Sequence, residues 1–278
     1  MKKLGILYHP MIEAARTTAE ELREFLDSRG FSTWLCSAWE KEAAQAELNG
    51  SSLIITIGGD GTILRAAQIV LDETTPITGI NLGTLGFMTE LGAGEVNEKL
   101  PALLAGDGWI DERAMLEVAL HVPDQDIRVF HALNDAVVAR GAVSRVILVQ
   151  VSVDDQHLLT YKADGVILAT ATGSTGYSLA AGGPIMYPQS PDLLLLPIVP
   201  HLGTSYPVVL PPTTVVKLTV KTVHEATLSI DGHINLPLIN GASIVVKHSP
   251  RTTRFNRIHP RTSFYGSLEE KLKGKATA

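Results

Sequence analysis

The sequence predicts a chain of two domains, a parallel α/β domain followed by an all-β sandwich domain. Two observations predict this order: apolar strand patterns alternate with helical patterns up to about residue 105, and later segments are short, rich in Val and Ile, and separated by turn signals. The length of 278 residues allows two domains of ordinary size, and a hydrophobic content of 45% suffices for their cores.

The first domain is predicted from four strands and three helices. In the helix over residues 12–30, apolar residues recur at helical spacing, so one stripe faces a core. Strands joined by helices imply right-handed crossovers and a parallel sheet covered on both faces, a Rossmann-like arrangement that binds ligands outside the carboxyl ends of its strands. The predicted strands are 2–10, 31–37, 53–59 and 77–83, and the helices are 12–30, 39–48 and 62–72.

The second domain is predicted from repeated short β patterns. Asp-Asp-Gln at 154–156 and Asp-Gly-His at 231–233 are typical of hairpin turns. The linker is predicted within residues 103–109, where two glycines flank an aspartate. We therefore expect an α/β domain over 1–105 and a sandwich domain over 106–254.

Composition excludes several classes of function. The net charge of −6 argues against a general nucleic-acid binder, and the apolar run at 193–200 is too short to span a membrane. The single cysteine, Cys36, excludes an internal disulfide and a multi-cysteine metal site, which fits a reducing compartment. From these observations together we expect a cytoplasmic protein that binds neither nucleic acid nor membrane. The four arginines within 251–261 predict either a solvated arm or a tail folded back on acidic surface.

The stretch LIITIGGDGTILR, residues 53–65, predicts a phosphate site. The glycines at 58, 59 and 61 let the backbone approach a ligand, and amides at a helix N-terminus favour anions. Asp60 is then either a base for an attacking hydroxyl, a holder of magnesium, or a turn residue that caps the helix. The glycine context favours a functional role, although neither a P-loop nor a dinucleotide fingerprint is present.

A second glycine-rich stretch, TATGSTGYSLAAGGP at 170–184, also follows an apolar run. Thr172, Ser174 and Thr175 offer hydroxyl donors to ligand oxygens; the alternative, a flexible linker, is disfavoured by the flanking strand. His9 lacks metal-ligand spacing and Trp39 is interpreted as a core or surface anchor. We assign no side chain as a metal ligand.

Four segments, in this order, resemble the NAD kinase family: GGDGT (58–62), INLGTLGFMTE (80–90), ALNDAVV (132–138) and YKADGVILATATGSTGYSLAAGGP (161–184). The resemblance implies phosphorylation of the 2′-hydroxyl of the adenosine ribose of NAD to give NADP. It implies ATP or inorganic polyphosphate as co-substrate, a divalent cation such as Mg²⁺, and a homodimer or homotetramer. It also implies that the tail, residues 255–278, returns to the first domain.

The resemblance assigns roles to residues in both domains. Asp60 is the catalytic proton acceptor and, with Gly61, lies against NAD, whereas Gly58, Gly59, Gly61, Thr62 and Arg65 face the donor phosphates. Arg145 is contributed to the nucleotide of a neighbouring subunit. The other NAD-binding positions are Asn134, Asp135, Lys162, Asp164, Thr172, Thr175, Gly176, Tyr177, Ser178, Leu179 and Ala180.

The sequence departs from the family pattern at five positions. Asp135 replaces glutamate, Lys162 replaces arginine, Gly176 replaces alanine, Tyr206 replaces arginine, and His233 replaces glutamine. Two alternatives stay open: a lipid or sugar kinase that shares GGDGT, and a non-catalytic sensor that binds NAD or NADP without turnover. The sequence leaves the donor, the choice between NAD and NADH, and feedback by NADP undecided.

Overall fold

The computed structural model describes residues 2–83, 86–141, 145–201 and 206–276. Of these, residues 274–276 are described by their backbone only. The chain divides into two compact units, one of Met1–Glu112 with Thr253–Ala278 and one of Arg113–Thr252. Within the described ranges, no helix is both long and apolar enough to cross a membrane.

The first unit has the predicted alternation of strands and helices. Its strands β1 to β4 form a parallel sheet in the order β4-β3-β1-β2. The predicted apolar stripe of the first helix, which includes Ala15, Ala19, Leu22 and Leu26, is buried against this sheet. The elements are β1 (Lys3–Tyr8), α1 (Glu13–Ser28), β2 (Ser32–Ser37), α2 (Lys41–Leu48), β3 (Ser51–Ile57), α3 (Asp60–Ile69), β4 (Ile77–Asn81) and the short β5 (Leu91–Gly92).

The helix α4 (Val96–Ala105) was not predicted, and it occupies the start of the predicted linker. Pro101 lies inside it and weakens the helical signal, but Leu100 and Leu103 are buried in the core of the first unit. Gly106 ends the helix in the left-handed conformation with φ 104°. Tertiary burial therefore outweighs local propensity in this segment.

The second unit is a β-sandwich, as predicted. One antiparallel sheet has the order β13-β12-β11-β8-β15-β16; the other contains β10, β9, β14 and parts of β6, β7 and β17, and one apolar core lies between them. The elements are β6 (Trp109–His121), β7 (Arg128–Ala132), β8 (Asp135–Arg140), β9 (Ile147–Val153), β10 (Gln156–Ala163), β11 (Gly165–Ala169), α5 (Tyr177–Ala180), β12 (Leu193–Ile198), β13 (Val208–Leu210), β14 (Val216–Lys221), β15 (Ala226–Ile230), β16 (Ile234–Leu238) and β17 (Ser243–Arg257).

Both predicted hairpin turns are confirmed. Asp154 and Asp155 join β9 to β10 with φ values of 48° and 64°, and Asp231 and Gly232 join β15 to β16 with 50° and 68°. Positive φ at both central residues is the type I′ turn, whose twist matches that of the flanking strands.

The C-terminal tail returns to the first unit, as the fold class predicted. Residues 251–257 are the end of β17 and not a solvated arm; Phe255 pairs with Ile77 of β4 and is fully buried. The helices α6 (Ser263–Gly266) and α7 (Leu268–Ala276) follow. Trp109 Nε1 donates to the His259 carbonyl at 2.8 Å, and residues 106–112, predicted with the sandwich, group with the first unit.

Strand β14 offers a matched test of the sandwich core. Leu218 is fully buried, whereas its neighbour Lys217 is exposed. We expect Leu218→Ala to lower the free energy of unfolding by about 2–5 kcal/mol, because the lost methyl groups leave a cavity. Lys217→Ala should change it by less than about 0.5 kcal/mol. Urea unfolding of both variants checks this, and equal effects would contradict the assigned strand faces.

Candidate active site

The glycine loop between β3 and α3 presents free backbone amides at a helix N-terminus. The Gly58 amide donates to the Ile80 carbonyl at 2.9 Å, and the Thr62 amide donates to the Gly59 carbonyl at 3.0 Å. No acceptor for the amides of Gly59, Asp60 and Gly61 lies among the described residues. Three of the five loop amides are thus available to an anion, where the helix dipole favours negative charge.

Two of the loop residues predicted to face phosphates have structural roles. Gly58 has φ +150°, and a Cβ there would lie 2.4 Å from Thr62 Oγ1, so the turn requires glycine. The Thr62 side chain is fully buried beneath the loop, and its hydroxyl has no partner within the described part of the chain. Gly58 and Thr62 shape the loop that exposes the amides of Gly59, Asp60 and Gly61.

The carboxylate of Asp60 is held by the segment 86–88 of the same unit. The Phe87 amide donates to Oδ2 at 2.9 Å and the Met88 amide to Oδ1 at 3.0 Å. A Cβ on Gly86 would lie 2.2 Å from Oδ1, so only glycine fits against this carboxylate. Each carboxylate oxygen keeps a lone pair for a ligand hydroxyl. No side-chain bond caps α3, so the capping alternative for Asp60 is wrong.

Arg65, one turn after the loop, lies on an aromatic support. Its guanidinium carbon is 4.1 Å from the centroid of the Trp39 ring, a cation–π contact, and the His9 ring packs on the same indole with centroids 4.4 Å apart. Burial and the positive charge of Arg65 lower the pKa of His9. From the sequence, no function was assigned to His9, and Trp39 was interpreted as a core or surface anchor. In the structure Trp39 supports the arginine that is predicted to face phosphates, and His9 packs on Trp39.

In the second unit, the predicted pair Asn134 and Asp135 is ordered by a residue that the sequence did not single out. The Asp231 carboxylate accepts the amides of Leu133, Asn134 and Asp135 at 2.9, 2.7 and 3.2 Å. The Asp231 amide in turn donates to the Asp135 carbonyl at 3.0 Å. The available signal was the Asp-Gly hairpin turn, which places a buried carboxylate beside the start of β8.

The side chains of this pair are buried and only partly satisfied. Burial, and to a smaller extent the negative charge of Asp231, raise the pKa of Asp135 to about 7. The Asn134 Oδ1 atom is buried and lacks a hydrogen-bond partner within the described ranges. An uncharged or half-charged carboxyl beside an unpaired amide oxygen is suited to hydrogen-bond a neutral polar ligand.

The glycine-rich stretch 170–184 packs directly on this pair. The Thr170 amide donates to the Asn134 carbonyl at 2.9 Å, and a Cβ on Gly173 would lie 2.0 Å from that same oxygen. A Cβ on Gly176 would lie 3.3 Å from Asn134 Nδ2 and 3.8 Å from Asp135 Oδ2. The structure thus brings Gly176, Asn134 and Asp135 together.

A cavity of about 450 Å³ lies at this cluster. Tyr177 is half exposed and forms part of its wall. Its volume suits a small organic ligand or part of a dinucleotide. The lining residues are Asn134, Asp135, Val137, Ala139, Tyr177, Thr227, Ser229, Asp231, Gly232 and Asn235.

The hydroxyls of the stretch are used mainly inside it. Ser174 donates to the Ala171 carbonyl at 2.7 Å, and Thr175 donates to the Thr172 carbonyl at 3.1 Å. Thr172 Oγ1 accepts from Arg113 Nη1 at 3.2 Å. Ser174 and Thr175 therefore do not offer the free donors predicted from the sequence. Ser178 Oγ is buried and unpartnered within the described ranges, while Leu179 and Ala180 complete α5.

The remaining predicted nucleotide contacts lie outside the lining of this cavity. Lys162 is exposed on β10, and Asp164 pairs with Arg140 at 3.1 Å between Nε and Oδ1. Arg145 is exposed just after residues 142–144, which the structure does not describe. Tyr206 is exposed, and His233 Nδ1 lies 3.0 Å from the Asp231 carbonyl. Among the described residues, no group of three or more His, Cys, Asp or Glu side chains is arranged to hold a metal ion.

Comparison with known proteins shows which family the chain resembles over both units. Residues 11–108 match the ATP-NAD kinase N-terminal domain, and residues 133–258 match the ATP-NAD kinase C-terminal domain. An NAD kinase of Dehalococcoides mccartyi is 50% identical over 275 residues, which cover 98% of this chain and 96% of that protein. An NAD kinase of Chloroflexus aggregans is 39% identical over 98% of this chain and 99% of its own length.

The chain belongs to the NAD kinase family. It is therefore a phosphotransferase that acts on NAD, as the sequence predicted. Yeast NADH kinase, solved with NADH, matches 98% of this chain and 88% of its own at 25% identity, with a TM-score of 0.82. An NAD kinase from Archaeoglobus fulgidus, solved with ATP, matches in fold over 96% of this chain and 99% of its own, with a TM-score of 0.77 and 24% identity.

The contact between Gly86 and the Asp60 carboxylate predicts a sharp effect of one methyl group. Gly86→Ala should lower kcat for NADP formation by roughly 10²-fold, because the new Cβ displaces the carboxylate by about an ångström. Gly94→Ala is the matched control, since no heavy atom lies within 4 Å of a Cβ at that position. Initial rates at saturating substrates measure both. A Gly86→Ala protein with normal kcat would contradict the tight contact.

The raised pKa of Asp135 predicts a pH dependence of stability. Between pH about 4 and about 7 the folded protein keeps a proton on Asp135 that the unfolded chain has lost, so the free energy of unfolding falls as pH rises. Asp135→Asn should flatten this fall, although Asp231, whose pKa burial also raises, retains part of it.

Urea unfolding across that pH range checks the expectation, with the exposed Asp126→Asn as control. An unchanged pH slope in Asp135→Asn would show that this carboxyl titrates normally.

Proposed function

We propose that the protein transfers a phosphoryl group to the 2′-hydroxyl of the adenosine ribose of NAD, giving NADP, with Asp60 as the acceptor of the hydroxyl proton. The observation that carries the proposal is the Asp60 carboxylate, which two amides hold beside three free amides of a helix N-terminus. This arrangement supplies a base and an anion site next to each other, as attack of a hydroxyl on a phosphate requires.

The chemistry assigned to this chain is mainly positioning and charge neutralisation. The amides of Gly59, Asp60 and Gly61 receive oxygens of the donor phosphates, and Arg65 adds a positive charge one helical turn away. Asp60 orients the ribose hydroxyl and takes its proton as the bond to phosphorus forms. The two amides that bind Asp60 offset the repulsion between its carboxylate and the phosphates.

The cluster of the second unit is proposed to hold NAD. Asn134 Oδ1, buried and without a partner in the described ranges, accepts a hydrogen bond from a base amino group, and the Asp135 carboxyl binds a ribose hydroxyl. The segment Thr172 to Ala180 forms the wall against the nucleotide through its backbone, Tyr177 and Ser178. Lys162, Asp164 and, from a neighbouring subunit, Arg145 complete the proposed contacts.

ATP is the proposed donor, with inorganic polyphosphate as a second candidate. The Archaeoglobus protein of the same fold was solved with ATP, which supports a nucleoside triphosphate. The proposed divalent cation is Mg²⁺, and phosphate oxygens beside the loop amides are the ligands it prefers. Such a cation would neutralise charge on the phosphoryl group. We assign no side chain as its ligand.

NAD is the proposed physiological acceptor, although the yeast relative was solved with NADH. We further propose a cytoplasmic homodimer or homotetramer that supplies NADP. A lipid or sugar kinase is disfavoured because the likeness to NAD kinases extends over both units. A non-catalytic sensor is disfavoured because it has no need for a base beside phosphates.

The role of Asp60 is tested by Asp60→Asn. We expect kcat to fall by about 10²–10⁴-fold while the Kd for NAD changes by only a few fold. The reason is that Asp60 acts on the reacting hydroxyl and contributes little to binding the rest of the NAD molecule. Asparagine also turns an NH₂ group toward one of the two amides, so binding must be measured beside turnover. Wild-type kcat in the variant would refute the role; Glu73→Gln, at an exposed residue beyond the C-terminal end of α3, is the control.

The donor and the product are tested together. The purified protein is incubated with NAD and Mg²⁺, and with ATP or polyphosphate in separate reactions. Phosphorus NMR then identifies the site of phosphorylation. A 2′-phosphomonoester with one donor supports the proposal and names that donor. Tight NADP binding without product from either donor would instead support the sensor.

A further inference from the structure

We propose that Arg257, near the end of β17, is a positioning residue for Asp60. It fixes the peptide segment whose amides hold the carboxylate, and the returning tail thereby becomes part of the catalytic machinery. The proposal rests on the role proposed above for Asp60. All the residues involved belong to the first unit.

The first step is a direct connection through Met88. Arg257 Nη1 donates to the Met88 carbonyl at 2.7 Å, and the Met88 amide donates to Asp60 Oδ1 at 3.0 Å. The two bonds hold Met88 from opposite sides of its Cα. A shift of the Met88 carbonyl therefore turns the amides that point at Asp60.

The second step is that the guanidinium is itself immobile. Arg257 is buried with 6% exposure, its Nε donates to Asp111 Oδ2 at 3.2 Å, and its Nη1 donates to Glu90 Oε2, also at 3.2 Å. The guanidinium carbon lies 4.5 Å from the centroid of the Phe255 ring. Two carboxylates compensate the buried charge, and a planar fork bound at several points has little freedom.

The third step is that the segment 86–90 is closed by an internal bond and anchored at its C-terminal end. Within the segment, the Gly86 amide donates to Thr89 Oγ1 at 3.0 Å. At the C-terminal end the Glu90 amide donates to the Gly79 carbonyl at 2.8 Å, while Glu90 Oε1 accepts the amides of Ile258 and His259 at 2.8 and 2.7 Å. Arg257 adds a bond to the Met88 carbonyl in the middle of the segment.

Lysine cannot replace this arginine without loss. A single ammonium group lacks the fork that reaches the Met88 carbonyl, Glu90 and Asp111 at the same time. Arg257→Lys therefore keeps the charge but loosens the Met88 peptide. We expect kcat to fall at least about tenfold, with the KM for NAD nearly unchanged, because the lost alignment concerns the reacting hydroxyl.

The matched controls separate positioning from stability. Arg254→Lys alters the same strand at a partly exposed arginine whose Nε lies 3.7 Å from Glu112 Oε2, and it should keep wild-type kcat. Asp111→Asn removes one buried ion pair of Arg257 while leaving its bond to Met88, so it should lower stability and should lower kcat by less than Arg257→Lys does. Equal losses of kcat in Asp111→Asn and Arg257→Lys would overturn the proposal.

Should Arg257→Lys fail to fold, the double variant Arg257→Met with Asp111→Asn is measured instead. It removes the arginine together with the charge of its partner Asp111, so no unpaired carboxylate is left at position 111. Compared with Asp111→Asn alone, it removes the donor to Met88, so it should lose kcat at least about tenfold. Labelling with ¹⁵N-methionine adds a direct readout, because the Met88 amide resonance should shift in the Arg257 variants and stay in place in Arg254→Lys.

Asp60→Asn is assayed in parallel, so that the two proposals can fail separately. An inactive Asp60→Asn protein beside fully active Arg257 variants would overturn the positioning role alone. A fully active Asp60→Asn protein would overturn the proposed function of the site, whatever Arg257 does.

Discussion

The geometry of the site in the first unit depends on two hydrogen bonds, which the Phe87 and Met88 amides donate to the Asp60 carboxylate. A carboxylate at the first residue of a helix ordinarily turns toward the amides of that helix. In this protein the two outside donors satisfy it instead, and the helix amides stay open to an anion. The glycine at 86 follows from the same constraint, since a Cβ would occupy the position of the carboxylate.

In the second unit a carboxylate also binds backbone amides, but there the carboxylate positions the backbone. Asp231 is buried and accepts three consecutive amides, so the carboxylate orders the backbone and the neighbouring side chains face the cavity. In the first unit the backbone orders the carboxylate, and the carboxylate is the reactive group. Both devices depend on bonds between residues far apart in the chain. Each therefore forms only when its whole unit is folded, which couples the chemistry of this NAD kinase to folding.

The sequence predicted those features that local patterns encode. Strand and helix alternation, both type I′ hairpins and the glycine loop follow from periodicity and turn chemistry over a few residues. Helix α4 was missed because Pro101 weakens its pattern and burial compensates. The contacts of Asp231 with 133–135 and of Arg257 with Met88 span 96 to 169 residues, so no local pattern carries them. The hydroxyls of Ser174 and Thr175 were expected to be free, but they donate to carbonyls of the same loop. Those carbonyls come within reach only when the loop is folded, so the sequence pattern does not show them.

A double-mutant cycle between positions 60 and 257 tests the central claim most directly. It compares kcat of the wild type, Asp60→Asn, Arg257→Lys and the double variant, with residual activity followed by a radiolabelled donor. If Arg257 acts only through the Asp60 carboxylate, the second substitution has little further effect once Asp60 is gone, and the double variant turns over like Asp60→Asn. Multiplicative losses would show that the two residues act independently and would contradict the account.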